Sequence, residues 1–149
     1  KVVGMATCAP SLFTALIHTE LSAWNAVESA LSEAGNALTL GRFLVLRTVR
    51  DTPACRIQEV AASQGITLGA ASRLVDRLHR DGLLHRTPCK HDRRATILTV
   101  TDQGLEHLEE ACMIVEKEQE RLFAPLSTAQ REELTRSLAL IAEAAKERA

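Results

Sequence analysis

A mainly α-helical protein carrying one small β-hairpin is what this 149-residue sequence predicts, and three observations predict it. Apolar residues recur every three or four positions at both ends of the chain, the signature of amphipathic helices. Past residue 83 the period changes to two over two short stretches, the signature of strands. Capping and turn residues fall at the joints between these segments.

Behind Pro10, the residues Phe13, Leu16, Ile17, Leu21, Trp24, Val27 and Leu31 lie on one face of a helix of about six turns. Gly35-Asn36 suits a left-handed cap at its end. Thr39 caps a second helix with Leu40, Phe43, Leu44 and Leu46, which stops before Asp51-Thr52-Pro53. A short helix from about Gln58 to Ser63 is closed by Gly65, and Thr67 opens another through Leu74, Val75 and Leu78 to Asp81-Gly82. Leu84–Thr87 and Thr96–Val100 are strand-like, the second rich in β-branched residues. Pro88-Cys89-Lys90-His91-Asp92-Arg93-Arg94 joins them as a polar, cationic tip. Thr101 caps a long helix striped by Leu105, Leu108, Cys112, Val115 and Leu122, with Gln119 in the remaining position. That helix breaks at Pro125. Ser127-Thr128-Ala129-Gln130 has capping-box spacing and opens a last helix bearing Leu134, Leu138, Ile141 and Ala145.

The formal net charge of −1 conceals a strong segregation. Residues 1–41 sum to −2, residues 42–94 set eleven Arg/Lys against five Asp/Glu for +6, and residues 95–149 set six against eleven for −5. A basic centre between acidic helices points to a polyanion as partner. A composition of 46% apolar and 25% charged residues excludes a disordered chain. The apolar runs fall far short of the ~20 residues a membrane span needs, and no secretory leader opens the chain. A cytoplasmic location with no membrane partner is expected. Four scattered cysteines, Cys8, Cys55, Cys89 and Cys112, fit reduced thiols rather than a disulfide framework. Met5 is read as a native start, with Lys1-Val2-Val3-Gly4 as an added remnant.

A short helix, a turn at Gly65, a second helix and then a hairpin is the layout of a winged helix-turn-helix. The string Ser72-Arg73-Leu74-Val75-Asp76-Arg77-Leu78, then Asp81-Gly82-Leu83-Leu84, Asp92-Arg93-Arg94-Ala95 and Leu98-Thr99-Val100-Thr101-Asp102-Gln103-Gly104 closely resembles the MarR family of bacterial transcription regulators. The resemblance is continuous over about residues 56–104, and the flanking helices fit in number and length. It implies a winged helix-turn-helix with N- and C-terminal dimerisation helices. Residues 1–149 then form a single domain, with about 10–35 and 102–147 as the dimerisation helices and about 39–100 as the DNA-binding lobe. The implied partners are a second copy of the chain and double-stranded DNA carrying a palindromic operator. Recognition helices related by a two-fold axis would sit about 34 Å apart, one turn of DNA. An intramolecular helical cap on the lobe is the alternative use of the long apolar stripes.

The early turns of the 67–81 helix are expected in the major groove, where base edges carry a full donor–acceptor code. Thr67, Gly69, Ala70, Ser72 and Arg73 lie there. The small residues allow close approach, Arg73 suits a bidentate contact to guanine, and Arg77 suits a phosphate. Lys90, His91, Arg93 and Arg94 at the tip would reach the minor groove and backbone. The resemblance assigns minor-groove insertion to one of the two arginines and loop bracing to Asp92. Ordinary surface charge is the competing explanation for Arg73 and Arg77.

Relatives in that family answer to phenolic or aromatic carboxylates, to oxidants or to metals. His18, Trp24, Phe43 and Arg47 offer aromatic faces and a polar handle near the junction of lobe and dimer helices, which suits an aromatic or phenolic acid effector. Trp24 and Phe43 are equally ordinary core residues. For oxidants, Cys89 lies beside Lys90 and His91, which favour a thiolate. The chain has no tyrosine and no cysteine near Leu12 and Phe13, so the hydroperoxide mechanism of one family branch does not transfer. His79, His85, Cys89 and His91 are zinc-compatible types without zinc-finger spacing, so no metal or cofactor is expected. The absence of a nucleophile elbow, phosphate loop or His-Glu-x-x-His argues against an enzyme. Cys89 with His91 lacks an orienting third group. The sequence therefore predicts a DNA-binding regulator, most simply a repressor released by a small molecule. A cysteine-switched regulator and a winged-helix protein-interaction module are the alternatives.

Overall fold

The computed structural model describes residues 11–89 and 96–147. Six helices and two strands follow in the order α1 (Leu12–Glu33), α2 (Leu40–Asp51), α3 (Ile57–Gln64), α4 (Leu68–Arg80), β1 (Leu84–Pro88), β2 (Thr96–Val100), α5 (Asp102–Phe123) and α6 (Thr128–Lys146). Side-chain caps set most of the helix starts. Thr39 Oγ1 accepts from the Arg42 N–H, Thr67 Oγ1 from Ala70 at 3.2 Å and Thr101 Oγ1 from Gly104 at 3.0 Å. At α6 the box is reciprocal: Ser127 Oγ accepts from the Gln130 N–H at 3.3 Å, and Gln130 Oε1 accepts from the Ser127 N–H at 2.9 Å. Each such cap is worth about 1 kcal/mol. Gly65 ends α3 at φ 61°, a left-handed conformation that costs glycine nothing.

The strands pair antiparallel, with Leu84 opposite Val100 and Arg86 opposite Leu98. A third strand-like contact comes from the loop before α3, where the Leu98 N–H donates to the Cys55 carbonyl at 2.8 Å. The hairpin therefore grows out of the helical lobe. Its inner face adds Leu84 and Leu98 to a core of Phe43, Leu46, Val60, Val75, Leu78 and Leu108, all fully buried. Arg86 shares that inner face and reaches α4, where its Nη1 lies 2.7 Å from Asp76 Oδ1. Arg42 on α2 pairs with Asp81 at the end of α4.

The orientation of α5 differs from the predicted stripe by about one residue. Its buried face is Gly104, Leu108, Ala111, Val115 and Glu118. Leu105, Cys112 and Leu122 flank it half-buried, and Gln119 is exposed. The cause is at Gly104, where an added Cβ would lie 2.3 Å from the Leu83 carbonyl oxygen and 2.7 Å from Val100 Cγ1. Only a residue without a side chain fits there, so the glycine and not a leucine faces inward. Glu118 is tolerated inside because both carboxylate oxygens accept from Arg121 Nε at 3.1 Å.

The outer helices bury little. Val27 and Leu31 are the buried residues of α1, and α6 has none. Leu12, Phe13, Ile17, Leu21 and Trp24 on α1 are exposed, as are Leu134, Leu138, Leu140 and Ile141 on α6.

Candidate nucleic-acid interface and effector cavity

Seen from its own residues, α4 has two faces. Ala71, Val75 and Leu78 pack into the lobe, while Thr67, Gly69, Arg73 and Arg77 are exposed and Ala70 and Ser72 half-buried. The exposed side is shallow at its start. Around Gly69 an added Cβ would meet only Arg73 Nη1, at 3.9 Å. Leu68, which neither charge nor motif singles out, stands on the same first turn at 55% exposure. The α4 N-terminus also presents unsatisfied N–H groups and the positive end of its dipole, which favour phosphate.

Ion pairing sorts the arginines of the lobe. Arg42, Arg50 and Arg86 are committed to Asp81, Asp51 and Asp76. Arg73, Arg77 and Arg80, all on α4, make no ion pair among the described residues. Arg50 binds Asp51 through Nε at 2.7 Å and Nη2 at 3.2 Å. That hydrogen bond raises the arginine above its ordinary range and holds the Asp51 carboxyl below its own. The exposed face of α4 therefore carries three arginines without an ion pair among the described residues, and Arg47 and Arg56 elsewhere in the lobe likewise make none among them. The predicted tip residues Lys90, His91, Asp92, Arg93 and Arg94 lie outside the described residues, as does Cys8.

A second feature lies where α1, α2 and α5 meet, a cavity of about 280 Å³. Trp24, Phe43 and Arg47 line it, joined by Glu20, Leu44, Val115, Gln119 and Phe123. The Arg47 guanidinium sits 5.4 Å from the centre of the Phe43 ring, within cation–π range. His18, exposed on α1, is not among the lining residues. Glu20 and Gln119 were not foreseen as lining groups, although Glu20 precedes Trp24 by the four residues that place two side chains on one helix face.

The thiols occupy different settings. Cys55 is fully buried, and burial pushes it up to about 11. Cys89 is half-buried where β1 ends; Cys112 is half-buried with its Sγ 3.9 Å from Arg50 Nη1. Of the zinc-compatible residues, His79 has its Nδ1 2.8 Å from the Leu84 carbonyl oxygen, and His91 lies outside the described residues.

A two-helix reader, a hairpin on its flank and an arginine-bearing exposed helix face agree with what known sequences say of this chain. The sequence model of the MarR family matches residues 38–96, from just before α2 to the first residue of β2. Over that stretch the chain is similar to the MarR family. It is 29% identical over 107 residues to the HTH-type transcriptional regulator BilQ of Clostridium symbiosum, covering 72% of this chain and 73% of BilQ. Among solved structures, it is similar to the transcriptional repressor CouR bound to a 23-mer DNA duplex, at TM-score 0.83 and 29% identity over 95% of this chain and 99% of that one. It is also similar to a Mycobacterium tuberculosis MarR family protein in complex with p-aminosalicylic acid, at TM-score 0.68 and 26% identity over 90% and 99%. The proteins it resembles are named as transcriptional regulators and repressors. Among its described residues no helix is long and apolar enough to cross a membrane.

Proposed function

We propose that the protein is a repressor that binds a palindromic operator as a homodimer and is released by an aromatic acid. The observation that carries this reading is the exposed face of α4, where Arg73 and Arg77 stand free of ion pairs among the described residues beside the small residues Gly69 and Ala70. Thr67, Gly69, Ala70, Ser72 and Arg73 enter the major groove, Arg73 takes a guanine edge and Arg77 a phosphate. Lys90, His91, Arg93 and Arg94 follow the flanking minor groove and backbone, with Asp92 bracing the tip. The exposed apolar faces of α1 and α6 close against a second copy, which sets two α4 helices one DNA turn apart. A DNA-bound repressor among the similar structures supports the DNA reading.

The effector site is the cavity between α1, α2 and α5. Trp24 and Phe43 supply apolar faces and Arg47 a cation for a carboxylate, a combination suited to a hydroxybenzoic acid. A similar protein that holds p-aminosalicylic acid supports the ligand class. Fluorescence anisotropy against DNA from upstream of the protein's own gene, supplemented by sites selected from a random library, tests the whole reading at two salt concentrations. Tight binding that resists competitor DNA and weakens steeply with salt is expected; binding equal to that of random DNA would sink it. Trp24 is the sole tryptophan, so hydroxybenzoic acids should change its fluorescence in the wild type and not in Arg47→Ala.

A further inference from the structure

Twelve large apolar side chains are strongly exposed among the described residues, and eleven of them lie on α1, α5 or α6. The twelfth is Leu68, 55% exposed on the first turn of α4. Leu68 precedes Ala71 by three positions, so it extends the buried stripe of α4 one turn beyond the lobe's core. Side chains on a helix lean towards its N-terminus, which carries the Leu68 methyls forward off the leading edge of the helix. Around them stand a capping threonine, a glycine and an alanine, none of which reaches as far. Leu68 is thus the longest apolar projection on the first turn of α4, the end of the helix that leads into the groove.

We propose that Leu68 is a specificity-determining residue that reads the C5-methyl group of a thymine in the major groove. The inference rests on the DNA-binding reading of α4 given above. The thymine methyl is the one apolar group that any standard base presents in that groove, so it is the partner that an exposed isobutyl group on a reading helix fits. Polar side chains would read the same position by hydrogen bonds, and leucine makes none.

Deoxyuridine in place of thymine removes that methyl and changes nothing else on the base edge. Duplexes selected by the full-length protein from a random library would be resynthesised with each thymine replaced in turn. The wild type should lose about fourfold in affinity at one thymine per half-site, the worth of one buried methyl, and Leu68→Ala should bind the two duplexes equally. Leu68→Met should keep the discrimination, and an unchanged thermal midpoint would show that the exposed position does not govern folding. Selected duplexes with no thymine sensitive to the replacement, or equal sensitivity in Leu68→Ala, would overturn the role of Leu68 while leaving DNA binding standing. Failure to enrich any duplex would overturn both.

Discussion

At Gly104 a single hydrogen atom decides how α5 meets the lobe, because a methyl there would sit 2.3 Å from a backbone oxygen that has nowhere to go. Gly104→Ala should destabilise the fold by about 1–3 kcal/mol through overpacking, read as a lower urea midpoint. Cys55 offers a second test. Burial raises its thiol from an ordinary value near 9 to about 11, so the folded state keeps a proton that the unfolded state gives up. Stability from this group is therefore intact below pH 9 and is lost as pH rises towards 11. Disulfide reagents at about pH 8 should label Cys89 and Cys112 in the native protein and reach Cys55 only on unfolding. On α4 the two arginines should part company. Arg73→Ala costs about 1–3 kcal/mol and relaxes preference at one base pair, whereas Arg77→Ala weakens all sequences alike and lowers the salt slope by about one. Most of these side chains were legible in the sequence because charge and capping chemistry are local. Gly104 was not. Hydrophobic periodicity weighs side chains, and the inward position of α5 is held by the lack of one.

The elements themselves were nearly all foreseen, for the same reason that they are stable: Thr39, Thr67, Thr101 and Ser127 each satisfy the first turn of a helix. The hydrogen bond between the Cys55 loop and β2 left no trace in the pattern, since a single backbone pairing needs no particular side chain. Arg86 is a charged residue on the inner face of a strand, which breaks the apolar–polar rhythm. Its partner on α4 resolves the conflict and links the wing to the reading helix. Asp76→Asn should cost about 1 kcal/mol of stability and weaken specific DNA binding more than non-specific binding, measured by competition. At the tip, Arg93→Ala and Arg94→Ala should each reduce the slope of log affinity against log salt, by about one for every phosphate left unneutralised.

For the whole molecule the apolar faces of α1 and α6 are the dominant unsettled surface. Leu134, Leu138 and Ile141 repeat on one side of a nineteen-residue helix that buries nothing of its own. If the proposed dimer forms through this face, Leu138→Glu should sediment as a monomer where the wild type sediments as a dimer, and should lose the proposed operator binding, since a lone reading head has no second half-site to hold it in place. The sequence announced these stripes clearly but not what they cover, because an amphipathic helix looks alike whether its partner is in the same chain or another. The joint at Gly104 carries a consequence for signalling. Thr101 donates to the Leu83 and Gly82 carbonyls at 3.1 and 2.7 Å beside that glycine, so the lobe and the start of α5 are clamped together. In a two-fold dimer they can only swing as one lever. In the proposed dimer, an aromatic acid between α1, α2 and α5 would press on that clamped joint, so its binding should change the spacing of the two α4 helices.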